Sequence, residues 1–159
     1  MYFLRQKEAL FIYCLVIVAT SIKSQTSLPD TILASFNNTI HFDGKLNDTA
    51  WQSAIKISNF TQQELDFGKP CSEQTQVAVL YDNLAFYVGV WCYQKRNTIT
   101  AKYLQRDFDY TQDDNFKIAL SPFNDKRNGY LFVINPNGAR ADLLISGNEQ
   151  ANKDWNGVW

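Results

Sequence analysis

The sequence has very little histidine and cysteine, the side chains that most often bind zinc or serve as catalytic bases and nucleophiles. It contains one histidine and three cysteines in 159 residues. It also lacks the Gly-x-Ser-x-Gly elbow of many hydrolases and the glycine-rich loop that binds phosphates. These absences exclude a zinc cluster and leave no catalytic constellation visible. The one histidine, His41, lies in the alternating segment Thr39–Asp43, which predicts a strand residue rather than a catalytic base.

Clustered positive charge is also missing. The 15 lysines and arginines are scattered, as Lys45, Lys56 and Lys102 illustrate. A surface that binds nucleic acid needs basic side chains gathered on one face, where they neutralise phosphates. The sequence therefore excludes nucleic acid as a partner.

The apolar run near the N-terminus, Ala9–Ala19, is too short for a membrane-spanning helix, which needs about 20 apolar residues. Basic residues precede it and small residues follow it near Ser24, the pattern of a secretory signal peptide. Residues 1–24 are therefore predicted to be a cleaved signal, and Cys14 is removed with them. The protein is expected to be secreted and, if bacterial, periplasmic or associated with the cell surface or outer membrane.

The mature chain is expected to form one domain. Without residues 1–24 it has 12 bases against 15 acids, a formal charge of −3. Residues 25–36, which include Pro29, are predicted to be a lead-in, and residues 37–159 a single domain with a core of its own.

Short alternating segments separated by turn residues predict an all-β domain. A hairpin is predicted from Thr75–Tyr81 and Leu84–Cys92, joined by Asp82-Asn83. Further strands are predicted at Phe116–Ser121, Tyr130–Asn135 and Ala139–Ser146. One helical turn is predicted at Leu46–Ala54, with Asn47 or Asp48 as its cap and Trp51 in the core. Many short strands and almost no helix favour an antiparallel β-sandwich.

Two cysteines remain after cleavage, Cys71 and Cys92. A two-residue turn would set Val79 opposite Phe86, place Cys92 opposite residue 73, and leave Cys71 one diagonal step away on the same face. A disulfide fits this register and an oxidising compartment. Two small buried thiols are the alternative, and the sequence leaves both open.

Residues 106–114, RDFDYTQDD, carry four carboxylates at alternate and adjacent positions: Asp107, Asp109, Asp113 and Asp114. Such oxygen donors suit calcium, which takes about six to eight of them. The alternative is a solvated acidic loop in which Arg106 pairs with one aspartate. Arg140 can form a surface pair with Asp142, which lies two positions on and on the same strand face. Alternatively, it can reach across neighbouring strands and hold one of the loop carboxylates through a bidentate bond, and this second role is the one predicted.

Sugar recognition uses flat aromatic faces beside planar hydrogen-bonding groups. Trp155 and Trp159 lie in a polar, turn-rich segment and are the candidate ligand-binding tryptophans. An Asn156-Gly157 turn would point them to opposite faces, whereas an extended segment would put them on the same face. Trp91 is either second-layer core or an exposed platform.

Several separated motifs together resemble a family 9 carbohydrate-binding module. They are Ile40–Trp51 (IHFDGKLNDTAW), Val77–Asp82 (VAVLYD), Leu84–Val90 (LAFYVGV) and Asp113–Leu120 (DDNFKIAL). The continuation at Ser121–Tyr130 and Asn135–Asp142 is similar to modules at the amino terminus of large secreted Bacteroidota proteins of unknown function. The resemblance extends from about Ile40 to the end of the chain.

The resemblance implies a β-sandwich that binds the ends of sugar chains and often carries structural calcium. It places Asp114 at the entrance to a strand, as the leading calcium ligand, and Tyr110 near the position of a sugar-clamping aromatic. Lys117 and Val133 stand where the family has a carboxylate and an arginine. Such modules usually continue with further strands, so the resemblance implies a truncated domain with C-terminal domains beyond it.

Three functions follow from these observations. The first is a secreted module that attaches a larger protein to oligo- or polysaccharide in carbohydrate catabolism. The second is an accessory or assembly domain of an outer-membrane-associated protein that does not bind sugar. The third is a fragment of a glycoside hydrolase, which rests only on association with enzymes that carry such modules.

Overall fold

The structure is a computed structural model and describes residues 32–147 and 150–159. The predicted signal peptide and most of the lead-in lie outside these residues. Eight strands are present: β1 Ser35–Phe36, β2 Lys56–Ile57, β3 Thr75–Tyr81, β4 Phe86–Cys92, β5 Phe116–Leu120, β6 Gly129–Ile134, β7 Arg140–Ser146 and β8 Gln150–Asn152. The helical elements are α1 (Thr49–Ser53) and a 3-10 turn (Arg96–Thr98). Because the described residues form mostly strands and almost no helix, the prediction of an all-β fold is confirmed.

The first sheet is built around β3, which pairs with three other strands. β4 runs antiparallel to it along its whole length. β2 pairs with it antiparallel at Val77 and Ala78, and β1 pairs with it parallel at Leu80 and Tyr81. Because β4 occupies one edge of β3, the short strands β1 and β2 share the other edge.

The β3–β4 hairpin has a different register from the predicted one. Val79 lies opposite Val88, and Thr75 opposite Cys92. The Asp82 carboxylate accepts hydrogen bonds from the backbone N–H groups of Leu84 (2.7 Å) and Ala85 (2.8 Å), which makes the connection four residues long. The two-residue turn was therefore wrong, and the pairing moves by two positions.

This register removes the geometric argument for the disulfide. Cys71 lies four positions before Thr75, the residue that faces Cys92, and both cysteines are free thiols in the structure. Cys92 is exposed and Cys71 is half-buried, so two buried thiols are not found either.

The second sheet is a meander, with strand order β5-β6-β7-β8 and every pair antiparallel. A turn at Asn135–Gly138 joins β6 to β7, and the Asn135 side chain accepts hydrogen bonds from the N–H groups of Asn137 and Ala139. Gly138 has a φ of +81°, which a residue with a side chain rarely adopts.

Each sheet has its own cluster of buried side chains. In the first sheet, Trp51 of α1 packs on Ala78 and Leu80 and is 3% exposed, which confirms it as core. Trp91 is half-buried and meets Trp51 edge to face, with ring centroids 6.1 Å apart. In the second sheet the buried residues are Phe108, Val133, Ala139, Ala141 and Leu143.

The segment before α1 is not a strand. Residues 39–43 have no ladder partner, and the His41 ring is exposed. Asp48 occupies the N-cap position but makes no side-chain cap; its carboxylate accepts the His41 N–H at 3.0 Å and lies 3.2 Å from His41 Nδ1. These hydrogen bonds hold the pKa of Asp48 below its usual value. The predicted strand at Thr39–Asp43 was therefore wrong.

Candidate functional site

The acidic stretch 106–114 is a loop that packs against the first half of β7, before the residues that pair with β8. The Asp107 N–H donates to the Arg140 carbonyl at 2.8 Å, and Asp107 has a φ of +56°. Phe108 then enters the core of the second sheet and is 3% exposed. Tyr110 packs edge to face on Phe108, with ring centroids 6.4 Å apart. The loop is thus anchored by its backbone and by one buried ring.

Three of its carboxylates accept hydrogen bonds from the protein itself. Asp109 binds the N–H (3.1 Å) and hydroxyl (2.6 Å) of Thr111. Asp114 binds the Thr100 N–H (2.9 Å) and the Gln94 amide (3.3 Å). Asp113, which is 7% exposed, binds the N–H groups of Lys102 and Tyr103 at 2.9 and 3.1 Å and the Asn135 amide at 2.8 Å.

These contacts keep two of the carboxyl groups ionised. The Thr111 hydroxyl, followed by its N–H, holds the pKa of Asp109 below its usual value. For Asp113 the largest influence is burial, which opposes ionisation. The donors of Lys102, Asn135 and Tyr103 together outweigh burial, so the pKa of Asp113 is also lowered.

The four predicted calcium ligands, Asp107, Asp109, Asp113 and Asp114, do not converge on one point. Three of them are turned toward separate sets of backbone or side-chain donors, and Asp107 lies 3.8 Å from Arg106 Nε. Within residues 32–147 and 150–159, no group of three or more His, Cys, Asp or Glu side chains is placed to hold a metal ion. The four carboxylates therefore do not form a shared calcium site in the arrangement described, and calcium stays a prediction that thermal melts with the ion and with a chelator would test.

Arg106 instead forms an ion pair with Asp142 of β7, whose side chain is fully buried. Asp142 also accepts the Gly157 N–H. Arg106 further donates to Asn156 Oδ1 at 3.0 Å and to the Gly157 carbonyl at 3.1 Å. Arg106 and Asp142 together therefore hold the segment 155–159, which we call the strap, against the second sheet.

Arg140 does not hold a loop carboxylate, so that prediction was wrong. Its guanidinium donates to the Trp159 backbone oxygen and lies 5.5 Å from the centroid of the Trp159 ring. Only its backbone carbonyl contacts the acidic loop, through Asp107. The arginine that pairs with an aspartate is Arg106, and its main partner comes from β7 rather than from the loop.

The three predicted ligand-binding aromatics do not share one surface. Residues 155–159 form no turn, and Trp155 and Trp159 both contact the Phe132 ring, at centroid distances of 6.1 and 5.1 Å. The same-face alternative for the two tryptophans is therefore the one observed. Tyr110 packs on the cluster that contains Val133. Because consecutive residues of a strand point to opposite faces, Tyr110 lies on the other side of the sheet from the tryptophans.

Tyr110 lines a cleft of about 240 Å³ between the acidic loop and β7. The lining comprises Asp107, Phe108, Asp109, Tyr110, Thr111, Ala141, Asp142, Leu143 and Lys153. The Lys117 ammonium lies 4.8 Å from the centroid of the Tyr110 ring, a cation–π contact. The cleft thus presents one half-buried aromatic ring, a hydroxyl, an ammonium and carboxylates.

Sequence reasoning missed Lys153 and Asp142 as cleft residues. Lys153 gives no local signal, because single exposed lysines occur throughout the chain. Asp142 did give one, since an aspartate inside the apolar run Ala141–Leu144 needs a partner if it is buried. That signal does not identify Arg106, which lies 36 positions away.

Compared with known proteins, the chain matches no protein-family model, no curated protein and no solved structure at a significant level. Among the residues described, no helix has the length and apolar character needed to cross a bilayer.

Proposed function

We propose that this chain is a carbohydrate-binding domain, resembling the family 9 modules, that attaches a larger protein to polysaccharide. The cleft beside β7 is the observation that carries the proposal. It combines an aromatic ring with hydroxyl, ammonium and carboxylate groups in a concave surface, which is the chemistry that orients a sugar ring and its hydroxyls.

The two sheets are proposed to be the halves of a β-sandwich. Each has a face of alternating apolar side chains that are only half-buried: Val79, Val88 and Val90 in the first sheet, and Phe116, Ile118 and Leu120 of β5 in the second. Two such faces packed about 10 Å apart would form the core of a sandwich.

The cleft is expected to bind weakly. The Lys117 ammonium lies over the Tyr110 ring, so a sugar must approach from another side or displace the lysine. The Asp109 carboxylate already accepts a hydrogen bond from the Thr111 hydroxyl. The Asp142 carboxylate already accepts hydrogen bonds from Arg106 and from the Gly157 N–H. Recognition would therefore depend on Lys153, on Asp107 and on what remains of the Tyr110 surface.

Titration with soluble xylan and β-glucan fragments, followed by tryptophan fluorescence and calorimetry, tests the proposal. The parent should bind at millimolar concentrations, and Lys153→Ala should bind several-fold more weakly. Lys45→Ala is the matched control, because Lys45 is exposed and is not among the residues that line the cleft. No heat and no fluorescence change with any glycan would refute the proposal.

An assembly domain is the second candidate, and it too is favoured by a specific observation. β4 lies at an edge of the first sheet and is seven residues long, with neither charge nor proline. Such edges readily pair with a strand of another chain. Binding of the chain to an outer-membrane protein, together with no binding to glycans, would support this function.

The hypothesis that the chain is a fragment of a glycoside hydrolase has weaker support. A glycosidase needs a carboxylic acid that stays protonated near neutral pH. Where the described carboxyl groups have shifted pKa values, the shift is downward, as hydrogen bonds produce it for Asp82, Asp109 and Asp125 and outweigh burial for Asp113. Shifts in this direction favour the carboxylate rather than a proton donor.

A further inference from the structure

Asparagines occur along much of the chain, but only in one region are they followed two positions later by threonine. The three segments are Asn37-Asn38-Thr39, Asn47-Asp48-Thr49 and Asn59-Phe60-Thr61, and we call them the sequons. Asn-x-Thr, with x other than proline, is the acceptor sequence for Asn-linked glycans in exported proteins. A pattern of three residues also arises by chance, so its meaning depends on where the fold places it.

Two of the sequons are exposed at both of the residues that the pattern requires. Asn47 and Thr49 are exposed where α1 begins, and Asn59 and Thr61 are exposed just after β2. The Asn47 backbone carbonyl accepts a hydrogen bond from Gln52 Nε2 at 3.4 Å, an interaction that does not use the Asn47 side chain. A glycan on Nδ2 of either asparagine would therefore extend into solvent without displacing a core side chain.

The third sequon is held more closely by the sheet. Asn37 is half-buried, and its N–H donates to the Tyr81 carbonyl at 2.8 Å. Its Oδ1 accepts hydrogen bonds from the Thr39 N–H at 2.9 Å and from the Thr39 hydroxyl at 2.8 Å. This pair shows how a hydroxyl two positions on reaches the carboxamide of an acceptor asparagine. Asn37 has less room around it than the other two, so the inference is limited to Asn47 and Asn59.

The position of the sequons in the fold leaves the other candidate surfaces open. Asn37 follows β1 and Asn59 follows β2, and these short strands share one edge of β3, whereas β4 occupies the other edge. No sequon occurs in residues 62–159, which include β4, the second sheet and all the residues that line the cleft. Glycans beside α1 and β2 are thus compatible with a ligand in the cleft.

We infer that Asn47 and Asn59 are modification sites, each carrying an Asn-linked glycan in the exported protein. In this transfer the asparagine Nδ2 attacks C1 of an oligosaccharide carried on a lipid diphosphate. The N–C1 bond forms, the bond from C1 to the diphosphate oxygen breaks, and the amide nitrogen gives up one proton. The transferase and the lipid-linked donor belong to the cell. The inference rests on export, which the predicted signal peptide of residues 1–24 implies, and it is independent of the proposed function.

Peptide mass spectrometry of the protein isolated from the cells that produce it tests the inference. A peptide N-glycosidase releases the glycan and converts the attached asparagine to aspartate, so aspartate should appear at positions 47 and 59. Asn83 and Asn124 are internal controls, because both are exposed and neither has a hydroxyl two positions on. Fully unmodified asparagine at position 47 or 59 would overturn the assignment of that residue.

Variants of the full chain, including residues 1–24, test the role of the sequon itself when they are secreted from cultured mammalian cells. Asn47→Gln and Asn59→Gln should each lower the intact mass by one glycan, and Asn83→Gln is the matched control that should keep both. Thr49→Ala and Thr61→Ala should lose the same glycans although both asparagines remain, whereas Thr49→Ser and Thr61→Ser should keep them. A glycan retained in Thr49→Ala or Thr61→Ala would contradict the inference.

Failure of this inference can be distinguished from failure of the proposed function. Asn47→Gln and Asn59→Gln should bind soluble xylan as the parent does, since neither residue lines the cleft. A parent that carries both glycans but binds no polysaccharide would refute the proposed function and support this inference. A parent that binds xylan through Lys153 but carries neither glycan would do the reverse.

Discussion

Removing Arg106 should destabilise the protein more than removing its partner Asp142. Asp142 has a fully buried side chain, whereas the Arg106 side chain is 35% exposed. In Arg106→Met the buried carboxylate loses its cation and keeps only the Gly157 N–H. Breaking a buried ion pair by removing one partner costs about 3–5 kcal/mol, a large share of the roughly 5–15 kcal/mol that stabilises a domain.

Removing Asp142 should lower the free energy of unfolding by less, because the Arg106 guanidinium is not left buried without partners. In Asp142→Leu, Arg106 keeps water on its exposed side and its hydrogen bonds to Asn156 and the Gly157 carbonyl. The Gly157 N–H loses its acceptor, which costs about 1–3 kcal/mol. The double variant should cost less than the sum of the two singles, because neither charge is left unpaired.

Urea unfolding of the parent, both single variants and the double variant measures these differences. For a domain of this size each kcal/mol corresponds to roughly 3–6 °C, so in a parallel thermal melt Arg106→Met should lower the midpoint by about 9–30 °C. Arg127→Met, at an exposed arginine, is the control and should stay within about 0.5 kcal/mol. If Arg106→Met falls within about 1 kcal/mol of the parent, or the two singles add, the pair does not hold the strap and the argument fails.

Two further predictions concern other parts of the chain. Asp113→Asn should lower stability most at neutral pH. The folded pKa of Asp113 is depressed, so its contribution is present above the unfolded value of about 3.9 and disappears as the pH falls through the folded value; a difference from the parent that persists unchanged at pH 2 would contradict this. Gly89→Ala would place Cβ 2.7 Å and 2.9 Å from carbons of the Trp51 ring and should cost about 1–3 kcal/mol; an unchanged melting midpoint would show that the ring can move aside.

Five of the eight described strands, β3 to β7, could be predicted because each is specified by local sequence, whereas the short strands β1, β2 and β8 were not predicted. β3 has the predicted bounds. β5 and β7 differ from their predicted bounds by one residue at one end, β6 by one residue at each end, and β4 begins two residues later than predicted. Alternating apolar residues and the turn residues Asn128-Gly129 and Asn135–Gly138 contain this information within a few positions. The meander order also follows locally, since consecutive strands with short connections pair with one another.

Features that depend on side-chain hydrogen bonds could not be predicted in the same way. The Asp82 carboxylate lengthened the hairpin connection and moved the register, although Asp-Asn favours a two-residue turn. The segment Thr39–Asp43 alternates like a strand, but Asp48 binds the His41 backbone instead. In both cases an aspartate offered the backbone an alternative to the ladder.

The site was predicted least well, because its contacts join residues that are far apart in the sequence. Arg106 reaches Asp142 and Gly157 across 36 and 51 positions, and Asp113 reaches Asn135 across 22. The composition of RDFDYTQDD indicates available oxygen donors but not which backbone groups they will meet. The sequence of this acidic cluster predicts a metal site, but in the structure its four carboxylates face four separate sets of partners.

This division also constrains where a ligand can be recognised. Asp109, Asp113 and Asp114 each accept at least two hydrogen bonds from the protein, so little of their capacity remains for a ligand. Binding energy must then come from groups whose polar or stacking surface is still free, such as Lys153 and what remains of the Tyr110 surface in the cleft. A site that relies on stacking with few strong hydrogen bonds discriminates weakly between sugars. The glycan series should therefore differ by only small factors in affinity, whereas loss of a single stacking ring should reduce binding to all of its members together.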